Sequence, residues 1–378
     1  MGITALKALI SKHAPAGVSE RHLNSYAGKI IVIDTSIYFY RFMSFGNYLS
    51  GFTKQILLLL EHNITPIYVF DGKPPDEKKF VLQDRRDKRD KDIAEKLAVE
   101  AKIATCKDET ELKMLKTALY NISKKIIIVT HEHNDMVKDL LHHFGVPYLV
   151  ANGEAEILCA KLVKDGHAVA CMSEDTDVLP NGCNIFINDF KIVSTSICEY
   201  NLDKILEGLK ITHEQFVDIC ILCGCDYTCK IEGLAKEGAL TMIRKYKNIE
   251  GVINFINYQN KHGKSKYVVP ADFNYQRARE IFNTPLDTLV EKHYIKSGMH
   301  PTDYTTLAIF IQNNCPDIGD RFPHMFKKVK HKLTLTSSIP SSPPPIKKFA
   351  FSSTPAPKLK TIDMYFKSVE PDEDEMQS

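Results

Sequence analysis

The chain has 378 residues, 44% hydrophobic and 25% charged, with a formal net charge of +2. These are ordinary values for a soluble protein with one large or two moderate cores. The longest apolar stretch, about Ile56 to Leu60, is far short of a membrane span.

Met1-Gly2-Ile3-Thr4-Ala5-Leu6-Lys7 is an early helix pattern rather than a secretory signal. Leu6 also stands where a myristoylation signal needs Ser or Thr. The expectation is an intracellular protein with no membrane association. From residue 28 to about 195, strand and helix patterns alternate, which predicts a layered α/β domain with a largely parallel sheet.

Acids recur where the apolar runs stop. Ile30-Ile31-Val32-Ile33 ends in Asp34, and Ile67-Tyr68-Val69-Phe70 ends in Asp71. Between 76 and 103 lies a highly charged segment with few apolar positions, including Lys78 and Arg85. A helix that polar is a solvated excursion or a surface that touches something charged. Seven residues separate Lys78 from Arg85, so two helical turns put both on one face. Glu154 and Glu156 follow Pro147–Ala151, and Asp175 and Asp177 follow Ala168–Met172. Asp226 lies just past the apolar run Phe216–Leu222.

Such short runs read as buried strands. The last of them also falls in a window, 212–248, that reads as helix, Gly-bearing turn and helix, with breaks at Gly224 and Gly233. That pair of helices is either a plain hairpin or a phosphate-binding element. Cys220, Cys223, Cys225 and Cys229 fall in the same stretch, but no second pair completes a zinc site. Cys220 and Cys223 read as small hydrophobes on a helix face.

Capping of strands and helices accounts for one or two of the seven acids, not for all. In a parallel sheet the working site lies beyond the carboxyl ends of the strands. Seven acids gathered there repel unless cations join them, and oxygen donors at that density suit Mg²⁺ or Mn²⁺.

The tail changes character. Residues 321–362 carry Arg321 and eight lysines without an acid, a sum of +9, and residues 363–378 sum to −5, which leaves −2 for the first 320. Divalent cations would reverse that last sign, so a metal site and a polyanionic partner support one another. Residues 333–360 are rich in Ser, Pro and Lys and read as a disordered linker.

Together these segments resemble the flap endonucleases. Asp34-Thr35-Ser36 resembles their first metal motif, and Tyr68-Val69-Phe70-Asp71-Gly72-Lys73-Pro74-Pro75 their second. Asn152-Gly153-Glu154-Ala155-Glu156 and Ser173-Glu174-Asp175-Thr176-Asp177 are similar to the E-A-E and E-D-x-D segments. Leu222-Cys223-Gly224-Cys225-Asp226-Tyr227 matches L-x-G-x-D-Y, and Val269-Pro270-Ala271-Asp272-Phe273 also fits.

The resemblance runs from residue 1 to roughly 330. It implies a structure-selective 5′ nuclease acting on branched DNA. The implied fold is PIN-like: a twisted, mostly parallel sheet flanked by helices, with a helical arch over about 76–122 and a helix-turn-helix over about 212–248. The implied regions are 1–105, 123–250, 251–332 and a tail over 333–378.

Asp34, Asp71, Glu154, Glu156, Asp175, Asp177 and Asp226 would hold two Mg²⁺, with Mn²⁺ a substitute. Lys78 and Arg85 would reach the scissile phosphate. Tyr40 would stack on a base, and Gly2 would pack near the site once Met1 is removed. DNA contacts would fall at Gly2, Tyr40, Glu154, Gly224, Asp226, Gly233 and Lys236.

In the tail, Ile362, Tyr365 and Phe366 within 359–366 would share one face of a helical turn and fit a sliding clamp's hydrophobic pocket. Leu359 stands where that peptide usually has Gln. Lys327-Lys328-Val329-Lys330-His331-Lys332 reads as a nuclear import signal or a DNA contact. The expectation is a monomer in the nucleus, or at a cytoplasmic replication site if a virus encodes it.

Two departures stand out. Gly233-Leu234-Ala235-Lys236 replaces the family's G-I-G-P loop, which holds K⁺, and Ala235 resists the positive φ open to Gly. Lys236 is then a direct phosphate contact. Only Phe42 to Leu49 follow the stacking Tyr before the next helix, which predicts a reduced wedge and 3′-flap pocket. A haloacid-dehalogenase phosphatase needs Asp two residues after the first, where Ser36 stands. The remaining alternatives are a 5′ exonuclease, a junction-cutting relative and a catalytically silent, clamp-recruited scaffold.

Overall fold

The structure is a computed structural model and describes residues 2–3, 5–263, 267–289 and 304–336. Its strands are β1 (Val18–His22), β2 (Ile30–Asp34), β3 (Thr65–Phe70), β4 (Tyr148–Val150), β5 (Ala170–Met172), β6 (Ile185–Asn188) and β7 (Ser196–Asn201). They form one sheet in the order β1-β7-β6-β5-β2-β3-β4. The pairs from β4 across to β6 are parallel, as alternation predicted. β7 runs antiparallel to β6, and the polar edge strand β1 antiparallel to β7.

The helices before and within the arch are α1 (Leu6–His13), α2 (Thr35–Ser44), α3 (Tyr48–Glu61), α4 (Lys79–Thr105) and α5 (Glu109–Ser123). Next come α6 (His131–Phe144), α7 (Ala155–Lys164), α8 (Leu202–Leu209), α9 (His213–Cys223), α10 (Lys236–Tyr246), α11 (Ile249–Lys261) and α12 (Tyr275–Phe282). α13 (Tyr304–Asn314) and α14 (Phe322–Thr336) complete the described residues. α14 carries the helix past 333, where composition had begun the linker. The tail peptide over 359–366 lies outside the described residues.

Both faces of the sheet are covered, as a parallel sheet requires. Ile31, Ile33, Tyr68, Phe70, Met172 and Ile187 join residues of α2, α3, α6, α13 and α14 in one core. The alternate residues Val32, Val69, Cys171 and Phe186 are buried as well, on the side where α7 crosses β2, β3 and β5. Local chemistry starts and stops the helices. Asp34 caps α2 by accepting the Ser36 N–H at 3.2 Å. Thr130 and Thr212 open α6 and α9 with capping boxes.

The run Phe216–Leu222 is helix, not strand: it lies within α9, and every residue from Phe216 to Cys223 is buried. A helix enclosed on all sides is apolar all round and loses its period, so pattern alone does not separate it from a strand. The charged segment forms α4, which has no buried residue over its 27 positions. Phe45-Gly46-Asn47 alone join α2 to α3, in line with the short connection expected there.

Candidate active site

Chain crossings at the carboxyl ends of β2, β3, β4 and β5 bring the acids together. Asp34 is the last residue of β2, and Asp71 follows β3 directly. Glu154 is the residue before α7, and Glu156 lies in its first turn. Asp175 and Asp177 sit in the turn after β5.

Asp34, Asp71, Glu154, Glu156 and Asp175 line one cleft of about 290 Å³, together with Ser36, Tyr40, Lys78 and Arg85. Asp177 lies just behind, where its Oδ1 accepts the Ile3 N–H at 2.8 Å. Asp226, in the loop after α9, reaches the cleft through the arch cations.

Lys78 stands among the acids. It is 9% exposed, and its Nζ donates to Glu154 and lies 3.8 Å from Glu156 and 3.3 Å from Asp226. Burial works to lower its pKa, but Glu156, Glu154 and Asp226 outweigh that and hold it above the ordinary lysine value. Arg85 Nη2 bonds Asp226 at 2.8 Å. The shared face expected for these two residues exists, and it faces the acids.

Burial and mutual repulsion leave several acids reluctant to ionise. Asp34 is pushed up to about 7 by burial and then by Asp71. Burial, with Glu154 beside it, holds Glu156 well above its ordinary value, and burial with Asp175 does the same for Asp177.

A ring of donors fixes the acids, and the sequence reading missed it. Ser173 Oγ donates to Asp34 Oδ2 at 2.8 Å, and the Asp175 N–H donates to Ser173 Oγ at 3.0 Å. Ser36 Oγ donates to Asp71, whose Oδ1 accepts the Ala155 N–H at 2.8 Å. Tyr227 OH donates to Glu154 Oε2 at 2.8 Å. Ser173 and Tyr227 both stand inside the quoted motifs, so adjacency to the acids was the available signal. Arg41 and Asn188, which bond Glu174 at 2.9 and 2.8 Å, carried none.

Gly2 is where the resemblance placed it, at φ +90°, and a Cβ there would fall 2.1 Å from Asp175 Oδ1 and 2.6 Å from Asp177 Oδ1. Tyr40 is 45% exposed on the cleft wall. Gly224 closes α9 at φ +103°, and Gly233 turns at φ +78°. Lys236 is the first residue of α10. Ala235 corrects an expectation: it is extended at φ −94°, ψ 172°, a conformation open to any residue. The loop's one left-handed residue is Gly233, so Ala at 235 imposes no strain.

The donor set fits a hard divalent cation. Every side chain offered is a carboxylate, and buried carboxylates crowded this closely are stabilised as anions only by cations. Among the described residues, no three His, Cys, Asp or Glu side chains converge to hold an ion in the rotamers present. The Lys78 ammonium stands among Glu154, Glu156 and Asp226 instead. All ten cysteines are free thiols, so no disulfide or thiolate cluster competes for this role.

Acids at the carboxyl ends of a largely parallel sheet, beneath a highly charged helical arch, define a PIN-like nuclease fold. Residues 1–92 match the XPG N-terminal domain and residues 145–226 the XPG I-region. Flap endonuclease 1 of Aedes aegypti is 34% identical over 385 residues, spanning 95% of this chain and 96% of its own. Flap endonuclease 1-A of Sorghum bicolor is 35% identical over 349 residues, 87% of each chain.

Among solved structures, the catalytic core of Rad2 in complex with DNA substrate has the same fold. It aligns with a TM-score of 0.67 at 20% identity, covering 87% of this chain and all of that one. Flap endonuclease-1 from Methanococcus jannaschii aligns at 0.57 and 20%, over 88% of this chain and all of its own. The chain belongs to the flap endonuclease family.

Proposed function

We propose that this chain is a divalent-metal-dependent, structure-specific flap endonuclease with 5′–3′ exonuclease activity, serving replication and repair. It hydrolyses DNA phosphodiesters where single strand meets duplex. The observation that carries this reading is the single cleft that gathers five of the seven acids with Tyr40, Lys78 and Arg85.

Two Mg²⁺ would be held by Asp34, Asp71, Glu154, Glu156, Asp175, Asp177 and Asp226, and when bound they supply Lewis-acid activation of water and phosphate. Ser173, Ser36 and Tyr227 keep Asp34, Asp71 and Glu154 oriented through the bonds described above. Tyr40 offers an exposed ring on which a base at the junction stacks. Lys78 and Arg85 neutralise charge on the scissile phosphate, which is electrostatic work by preorganised donors. Contacts from Gly224, Gly233 and Lys236 are made to backbone phosphates, which position the duplex without reading its bases.

The enzyme works as a monomer in the nucleus, recruited to a sliding clamp through Ile362, Tyr365 and Phe366. Tyr365→Ala with Phe366→Ala should leave cleavage of free flaps unchanged and remove stimulation by the clamp of the same organism. A peptide of residues 356–370 that fails to bind that clamp in calorimetry defeats the recruitment.

The activity is tested on labelled flap, nick, gap, bubble and four-way substrates in Mg²⁺. The 5′ flap should be cut fastest at its junction. Preferential cutting of the four-way substrate would move the chain to the junction-cutting alternative, and no cutting of any substrate to the silent scaffold.

A further inference from the structure

The arch helix α4 has no buried side chain, so apolar packing does not anchor it along its length. Its base is tied down by charge. Lys78 meets Glu154, Glu156 and Asp226, Arg85 meets Asp226, and Glu77 meets Arg277 of α12 at 2.7 Å. The first two of these ties use acids that belong to the proposed metal set. An ammonium and a divalent cation repel one another and compete for the same carboxylates.

We propose that Lys78 is a placeholder for a divalent cation, so that metal loading and release of the arch base are one linked equilibrium. The inference rests on the metal reading of the carboxylate cluster. A metal ion must displace Lys78 from Glu154, Glu156 and Asp226, and this competition lowers its affinity. By reciprocity, the ion weakens the latch by the same factor. Lys78 and Arg85 are therefore held on acids while the site lacks metal and become free to meet a phosphate once the metal is in. The arch presents its two cations to DNA only over a loaded site.

The test uses the full chain without DNA. Lys78→Met should bind Mn²⁺ about tenfold tighter or more in calorimetry, the scale of an ordinary coupling between sites. Arg85→Met, which loses a bond to Asp226 alone, should tighten it by a smaller factor. Arch release is read separately. The chain has no Trp and Phe80 is 88% exposed beside Lys78, so Phe80→Trp gives a single fluorescent reporter. Mg²⁺ should lower its anisotropy when Lys78 is present and leave it unchanged in Lys78→Met.

Unchanged or weaker Mn²⁺ affinity in Lys78→Met overturns the inference, and so does an anisotropy that ignores Mg²⁺ with Lys78 in place. Mn²⁺ binding that survives Asp34→Ala with Asp175→Ala, or no Mn²⁺ binding by the unsubstituted chain, defeats the metal reading itself. If Lys78→Met does not fold without metal, Arg85→Met and the Phe80→Trp reporter decide alone. Unchanged affinity in the first or a Mg²⁺-blind signal in the second then overturns the inference.

Discussion

The carboxylate edge of the sheet and the arch helix α4 meet at Lys78, yet they are held by opposite means. At the edge, Asp34, Glu154, Glu156 and Asp177 are all under 8% exposed, and Ser173, Tyr227 and the Ile3 N–H fix Asp34, Glu154 and Asp177 in turn. Along α4 no residue is buried, and Phe80 and Leu97 stand 88% and 61% exposed. Its own ion pairs, Asp84–Lys88 at 2.5 Å and Lys96–Glu100 at 3.7 Å, help the helix form. They do not attach it to anything. Hydrolysis needs acids fixed in advance, whereas an arch over DNA has to admit and release a strand. Two environments that meet at Lys78, a buried sheet edge and an exposed helix, serve those two needs.

The comparison breaks first at the rigid edge. Asp175→Ala should abolish hydrolysis, because it removes a carboxylate from the cleft, while DNA binding in a filter or anisotropy assay stays largely intact. Turnover within about tenfold of the parent in Mg²⁺ would show that this acid is not part of the working set.

The loose element comes next. Arg85→Ala should slow single-turnover cleavage by roughly a hundredfold, the scale of one lost preorganised charge, with little change in binding. Collapse of binding with an intact rate on bound substrate would make Arg85 a positioning group for DNA.

The strain at the edge can also be read without DNA. Asp34 titrates at about 7 in the fold, through burial first and Asp71 second, against an ordinary value of 3.8. Between those values the folded chain keeps a proton that the unfolded chain has lost. Its stabilising effect is complete at low pH and disappears as pH rises through about 7. Glu156 and Asp177 act in the same direction. Metal-free protein should therefore melt on the order of a few degrees lower at pH 7.5 than at pH 5.5. Mg²⁺ should abolish or reverse that slope, since it requires the ionised acids. A metal-free melting temperature that rises with pH across this window would contradict the crowding.

The smallest effect belongs to the turn before α10. Lys236→Ala should flatten the salt dependence of DNA binding by about one unit of slope. Because Ala235 is unstrained and extended, this loop can keep its conformation. A comparison of K⁺ with Na⁺ at equal ionic strength then asks whether it retains the family's ion site, and a marked K⁺ preference would answer yes.

Much of the edge was legible in one dimension. Asp34 and Asp71 are read from the apolar runs they terminate, and Glu154, Glu156, Asp175 and Asp177 from the runs they follow. A strand's end and a parallel sheet's crossover rule are both local signals. The exposed, highly charged helix was legible from its composition, since a segment with few apolar positions has little to bury, whereas its arch over the site was implied by the resemblance alone. The run Phe216–Leu222 was ambiguous for the opposite reason, being buried throughout and apolar at every position but Asp218.

Tertiary structure alone decided who meets whom. The order β5-β2-β3 sets the turn after β5 beside the end of β2, so that Ser173 reaches Asp34 across 139 residues. Lys78 reaches Glu154 across 76 residues, and Arg85 reaches Asp226 across 141. Gly2 has no room for a Cβ because Asp175 and Asp177 fold against it, and its φ of +90° adds a backbone reason of its own. Periodicity and end residues are properties of a segment, whereas the field at a carboxylate is set by whatever the sheet order brings within a few ångströms of it.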